Sequence, residues 1–423
     1  MHPNALLEAA TELVHRILRF EHPADRVVSE FFRESRHLGQ RERHTIAETV
    51  YAVVRELPLW RHLARSGSGE MERRLVVLAW QGNEGVLRAA LSDTEIGWLA
   101  STRAVDRAAL PEALRHNLPE WLADRMQGAL GDEFWPWVES IAAPAPLDLR
   151  VNVARAGRDE VIGRLRADGI AVEPMPYSPI GVRVVGKPSL HKHAVFTEGL
   201  VEAQDEGSQL IALMTGARRG EMVVDFCAGA GGKTLALGAQ MRSSGRLYAF
   251  DVSGHRLAAL KPRLARSGLS NVYPVQIAHE RDDRVKRLAG KIDRVLVDAP
   301  CTGLGTLRRH PDLKWRQTPD TLAELGMTQR AVLTAAARLV KPGGRLVYAT
   351  CSPLAEENEA VADAFEAAHG GGFTRLPAIE LLERAQVADA ASLTGGGALR
   401  LWTHRHGTDG FHAVAWERHA AAG

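Results

Sequence analysis

The sequence is poor in cysteine, with three among 423 residues, at positions 227, 301 and 351. None stands in C-x-x-C or Cys/His zinc spacing and no disulfide framework can be drawn. That reads as a chain for a reducing cytoplasm without a metal site. Long apolar runs are also missing. Met1 to Phe20 is amphipathic with charges throughout, having neither the apolar core of a signal peptide nor the length of a membrane span, so no membrane partner is expected. Neither sign of charge is in excess, since 53 Lys and Arg face 51 Asp and Glu. Any nucleic-acid-binding patch must therefore be local. The 17 histidines show no ligand spacing. What remains, 45% hydrophobic and 25% charged, suits a globular protein of more than one domain, read as a monomer.

Residues 1–141 read as an all-helical domain. Leu6, Ala10, Leu13, Val14, Ile17 and Leu18 keep helical spacing, as do Ile46, Val50, Val53, Val54 and Leu57. Ser92 and Glu95 have capping-box spacing, and Pro111 and Pro119 suit first-turn prolines. Ala142 to Pro146 is the linker. Residues 147–198 suggest a small α+β segment, with a strand from Leu147, a helix over Arg158–Asp168 and a strand over Ile180–Val185. Over 199–423, helical patterns alternate with short strands at Met222–Phe226, Arg246–Phe250, Val272–Ile277, Ile292–Val297, Arg345–Thr350 and Phe411–Trp416. This alternation predicts an α/β fold with a doubly wound, mostly parallel sheet.

Three of those strands run into the cysteines. Ile292–Val297 leads to Asp298, Ala299, Pro300 and Cys301. Leu346–Thr350 ends at Cys351, and Val223–Phe226 at Cys227. An open α/β sheet has its ligand crevice at the carboxyl ends of its strands, so these residues are expected to face it. Cys227 also opens a glycine loop, Cys227, Ala228, Gly229, Ala230, Gly231, Gly232, Lys233, whose backbone can approach a ligand closely. Asp251 ends the next strand, about twenty residues on, where such folds place an acid on ribose hydroxyls. A Walker loop would need glycine at 227, and the dinucleotide spacing fits imperfectly. An adenosyl ligand without phosphate, S-adenosylmethionine, fits best.

Each residue also has a plainer role. A single cysteine is often a small buried hydrophobe, Asp298 suits a turn cap before Pro300, and Lys233 a solvated helix residue. Arg308, Arg309, Lys314 and Trp315 suit phosphate and base contacts, or a solvated charge run with one core tryptophan. Glu356, Glu357 and Glu359 fit the first turn of a helix after Cys351, whose N-terminus would favour a thiolate.

The glycine loop, Asp298-Ala-Pro-Cys301, Ala349-Thr-Cys-Ser352 and His406-Gly-Thr-Asp-Gly-Phe411, in that order, resemble the Nol1/Nop2/Sun family of RNA 5-cytosine methyltransferases. The resemblance covers roughly Leu147 to Arg418 and is nearest to the bacterial enzymes of small-subunit ribosomal RNA. The N-terminal helices, through Leu38–Arg43 and Val50–Arg55, are similar to a NusB-like RNA-binding domain. The resemblance implies a Rossmann-like methyltransferase sheet, S-adenosylmethionine as cofactor, and ribosomal RNA or an assembling small subunit as partner. It implies Cys351 as nucleophile, Cys301 assisting its release, and Asp298 in the catalytic set. The Cys227–Lys233 loop, Asp251, Arg256 and Asp298 would surround the cofactor.

Two departures stand out. Ala230 replaces the family's usual proline. The usual acid after the third strand is missing from Gln276–Arg281, where His279 or Glu280 would substitute, Asp282 and Asp283 coming one step late. That gap is the one feature favouring a rival reading, a non-catalytic RNA-binding or ribosome-assembly factor on the same scaffold. Both cysteines and Asp298 oppose it.

Overall fold

A computed structural model describes residues 2–186 and 188–420. The chain divides into two compact units, Met1–Ala143 with Thr306–Pro319, and Pro144–Gly305 with Asp320–Gly423. No helix among the described residues is long and apolar enough to cross a membrane.

The first unit is helical. Helix Pro3–Ile17 buries Leu6, Leu7, Ala10, Leu13, Val14 and Ile17, and helix Gln40–Arg55 buries Ile46, Val50, Val53 and Val54, each on one stripe. The capping box forms as the spacing predicts. Ser92 Oγ accepts the Glu95 amide at 3.3 Å, and Glu95 Oε2 accepts the Ser92 amide at 2.9 Å. Pro111 and Pro119 cap helices Glu112–His116 and Glu120–Leu130 from the position before the first turn, where extended backbone precedes the helix.

Residues 306–319 belong to this helical unit although they interrupt the second one. Lys314 Nζ donates to the Arg55 carbonyl at 2.7 Å, and Trp315 Nε1 to the Val54 carbonyl at 2.8 Å. Both carbonyls lie at the C-terminal end of helix Gln40–Arg55, where no intrahelical donor remains. Asp312 Oδ2 accepts the Ala24 amide at 3.1 Å at the start of helix Ala24–Glu34. Arg308 and Lys314 are buried, and burial pulls the Lys314 pKa down to about 7. These residues are thus neither a solvated charge run nor an exposed phosphate site. Only the core role of Trp315 matches an expectation, since it packs against the helical core.

The second unit holds two sheets. The smaller is antiparallel, in the order β2–β3–β1–β4, with β1 Leu147–Val151, β2 Val172–Pro174, β3 Gly181–Val184 and β4 Val201–Ala203. Helix Arg158–Ala167 covers it through Val161, Ile162 and Leu165. Strands β2 and β4 are three residues each, too short to show an alternating pattern in the sequence.

The larger sheet contains β5 Met222–Asp225, β6 Arg246–Asp251, β7 Val272–Gln276, β8 Ile292–Asp298, β9 Val340–Thr350, β10 Phe373–Leu376, β11 Thr394–Gly395, β12 Ala398–Leu401 and β13 Phe411–Arg418. Its order is β11–β12–β13–β9–β8–β5–β6–β7, with β10 also paired to β13. Strands β5 to β9 are parallel, and β13 runs antiparallel to β9.

Both faces are covered, which explains the unbroken apolar runs. Val223, Leu247, Leu296 and Val347 share a core with helices Glu206–Thr215 and Gly232–Gln240. Val224, Val295, Leu346 and Tyr348 share another with helices Pro319–Ala337 and Glu359–His369. The order reverses between β5, which continues to β6, and β8, and a ligand crevice belongs at that switch.

Candidate active site

A cleft of about 790 Å³ lies there, lined among others by Cys227, Gly229, Asp251, Asp298, Cys301 and Cys351. One wall is the glycine loop. Gly231 has φ +83°, and a Cβ on it would stand 2.2 Å from Leu260 Cδ1, so only glycine fits. Gly229 is also left-handed, at φ +56°, with open space where a Cβ would point. The Asp251 carboxylate braces this turn, Oδ2 accepting the Gly229 amide at 2.8 Å and Oδ1 the Ser253 amide at 2.7 Å. Ala230 sits comfortably where a proline was expected, its carbonyl accepting Arg263 Nη1 at 2.7 Å.

Lys233 turns inward rather than into solvent. Its Nζ lies 2.9 Å from Asp298 Oδ2 and 5.3 Å from the centre of the Phe411 ring. Burial pulls its pKa down, but the Asp298 charge and hydrogen bond more than compensate, with Cys351 and Asp225 adding to them, and the net shift is upward. Beneath the loop, Thr234 Oγ1 donates to Asp225 Oδ2 at 2.7 Å. Burial pushes Asp225 up to about 7 despite that bond. Burial beside Asp225, Asp298 and Asp251 likewise pushes the Cys227 thiol well above its ordinary range.

Cys301 Sγ and Cys351 Sγ are 3.4 Å apart at the ends of adjacent parallel strands β8 and β9. The hydrogen bond to Cys351, then burial and neighbouring charge, pushes the Cys301 thiol well above its ordinary range. Either sulfur can be the donor in this pair.

The expected helix N-terminus beside Cys351 is absent, because that helix starts only at Glu359. Glu357 lies in the preceding turn, fully buried, and accepts the Thr302 amide at 2.8 Å. A carboxylate buried this deeply requires hydrogen-bond donors, and the Cys301 loop supplies them.

Arg256, His279 and Glu280 line the cleft. Asp282 instead caps helix Asp283–Lys286, its carboxylate accepting the Ala278 and Arg284 amides at 2.9 Å each. The sequence reading assigned no role to Arg150, Gln204 or Ser208. Arg150 Nη1, fully buried, donates to the Gly232 carbonyl at 2.6 Å and to Gln204 Oε1 at 2.5 Å, and Gln204 Nε2 reaches Ser208 Oγ at 2.9 Å on the cleft wall. This chain ties β1 of the small sheet to the glycine loop. In the sequence Arg150 looks like one more polar position of an alternating strand.

Comparison with known proteins agrees with this architecture. The profile of the 16S rRNA methyltransferase RsmB/F family matches residues 212–417, and that of the RsmF/B-like ferredoxin-like domain matches residues 118–191. The probable ribosomal RNA small subunit methyltransferase B of Synechocystis is 34% identical over 304 residues, 70% of this chain and 66% of its own length. That of Bacillus subtilis is 34% identical over 300 residues, 69% of this chain and 64% of its own. The ribosomal RNA small subunit methyltransferase B of Sodalis glossinidius is 35% identical over 256 residues, 60% and 58% respectively. The matches thus span less than two thirds of these relatives' own lengths.

Among solved structures, that of PH0851 has a TM-score of 0.81 at 28% identity over 99% of each chain. A methyltransferase homologue from Pyrococcus horikoshii has a TM-score of 0.62 at 28% identity, over 74% of this chain and 99% of its own. With both domain profiles in chain order and relatives at this level of identity, the chain belongs to the RsmB/F, or Nol1/Nop2/Sun, family of ribosomal RNA methyltransferases.

Proposed function

We propose that this protein is an S-adenosylmethionine-dependent RNA (cytosine-5)-methyltransferase that acts on small-subunit ribosomal RNA through a covalent cysteine adduct. The observation carrying this reading is the approach of Cys301 and Cys351 to 3.4 Å on the wall of the cleft that also holds the glycine loop. The cleft volume suits a nucleoside-sized ligand, and the loop amides with Asp251, Arg256 and Glu280 suit an adenosyl group with its ribose hydroxyls. The residues therefore fit S-adenosylmethionine, which supplies a methyl group on a sulfonium.

Cytosine carbon 5 is too weak a nucleophile to take that methyl unaided. The Cys351 thiolate adds to carbon 6 and makes the ring an enamine, nucleophilic at carbon 5. Asp298, held by Lys233, hydrogen-bonds the polar edge of the pyrimidine. Once the Cys351 sulfur is bonded to carbon, its hydrogen bond and charge no longer hold the proton on Cys301. Cys301 then loses that proton to water, takes the one on carbon 5, and Cys351 departs.

The target base has to leave its stack, a cost of roughly a few kcal/mol that RNA backbone contacts offset. The helical unit and the small sheet supply those contacts, the protein working as a monomer on ribosomal RNA or an assembling subunit. Bisulfite sequencing of ribosomal RNA from cells with and without the protein tests the proposal. One small-subunit cytosine should lose its methyl group, and an unchanged methylation map would sink the reading.

A further inference from the structure

Glu357 takes no part in the chemistry above, yet it is a fully buried carboxylate six positions after Cys351, in the turn that follows it. Its Oε1 accepts the Thr302 amide at 2.8 Å and Gln329 Nε2 at 2.9 Å, while Oε2 accepts the Thr302 hydroxyl at 2.6 Å. Gln329, on helix Pro319–Ala337, donates the same group to the Pro300 carbonyl at 2.9 Å. The residues on both sides of Cys301 are therefore gripped by one carboxylate and the amide bonded to it. The grip reaches the other cysteine's loop as well. The Thr302 and Ser352 hydroxyls lie 3.3 Å apart, and Tyr348 Oη donates to the Glu357 carbonyl at 2.5 Å. A site that needed only packing would hold leucine, since a buried carboxylate is costly without full hydrogen bonding.

We propose that Glu357 is the positioning residue for Cys301, fixing the Pro300–Thr302 turn so that the Cys301 thiol stays within reach of the Cys351 sulfur. For turnover, this rests on the covalent function proposed above. The geometry itself can be tested without RNA or cofactor. Diamide joins two neighbouring thiols into a disulfide, their two electrons and two protons passing to the reagent's N=N bond.

In the parent protein diamide should link Cys301 to Cys351, as mapped by mass spectrometry of peptides. Glu357→Ala should slow that link by about tenfold, the equivalent of one lost buried hydrogen bond. Glu357→Gln keeps an acceptor for the Thr302 amide and a partner for its hydroxyl, so it should stay close to the parent rate. On RNA, Glu357→Ala should keep the parent's KM for S-adenosylmethionine, lose kcat, and accumulate RNA-bonded enzyme as Cys301→Ala does.

Unchanged crosslinking in Glu357→Ala overturns the assignment, whatever the RNA assay gives. Slowed crosslinking, with no adduct from Cys301→Ala either, upholds the role of Glu357 and removes the covalent function instead. If Glu357→Ala does not fold, Thr302→Val removes the hydroxyl with its contacts to Glu357 and Ser352 and keeps the amide bond to Glu357. It should slow the link in the same direction by less, and a parent-like rate in that variant overturns the proposal.

Discussion

Asp251 meets Gly229 through its carboxylate, Oδ2 accepting the glycine amide at 2.8 Å while Oδ1 accepts the amide of Ser253 at 2.7 Å. Both oxygens are engaged before any ribose arrives, so the acid shapes the loop as well as the ligand's surroundings. Asp251→Ala should therefore weaken S-adenosylmethionine binding by roughly ten- to a hundredfold, the range for a lost charge-assisted pair. Glu280→Ala, at the cleft wall, should also weaken it, and Asp282→Ala, away from the cleft, should not. Titration calorimetry of the three variants separates these positions, and equal affinity in Asp251→Ala and parent would contradict the placement.

The two cysteines should differ in what they leave behind. Cys351→Ala removes the group that adds to carbon 6, so neither methylated RNA nor a covalent adduct should form. Cys301→Ala keeps addition and methyl transfer but slows elimination, so enzyme should accumulate bonded to RNA. A denaturing gel with labelled RNA should show a shifted band for Cys301→Ala and none for Cys351→Ala. The reverse pattern would make Cys301 the nucleophile.

Asp225 should give the stability a pH dependence. Its folded pKa is raised by burial to about 7, above the roughly 4 of an unfolded aspartate. A carboxyl raised in this way binds its proton more tightly when folded. Its contribution is fully present below about pH 4 and is lost as the pH rises to about 7. Above that, ionised Asp225 costs on the order of 4 kcal/mol. Asp225→Asn, still bonded to Thr234, should be more stable than the parent at pH 8 and no more stable at pH 4. Urea denaturation at the two pH values tests this. A gain of the same size at both would mean that the carboxyl does not titrate in this window.

Trp315 should matter for folding rather than for RNA affinity. It packs on the helical core and donates to the Val54 carbonyl at 2.8 Å. Trp315→Ala should cost about 3 kcal/mol of the helical unit's stability, from lost packing and an orphaned carbonyl. Under conditions where the variant is folded, its RNA affinity and salt dependence should match the parent's. A shallower salt slope would return this stretch to the RNA surface.

Much of the site could be read in one dimension because its determinants are local. A buried parallel strand is a continuous apolar run, and the residue where the run stops lies at the crevice. Cys227, Asp251, Asp298, Cys301 and Cys351 could all be located in that way, and the left-handed glycines of the loop follow from a turn that a Cβ would block. The helical stripes before Ala143 were legible for the same reason, their period repeating every few residues.

What stayed hidden is held by partners far apart along the chain. Thr302 and Glu357 are 55 residues apart, Arg150 and Gly232 82, and Arg55 and Lys314 259. A hydrogen bond across such a distance leaves no periodic trace, and a glutamate that satisfies a buried amide looks the same in sequence as one in a helix's solvated first turn. Burial separates them, and burial is a property of the packed sheet and its helices. Adjacent pairing of β8 and β9 is likewise what brings two cysteines 50 positions apart to within 3.4 Å.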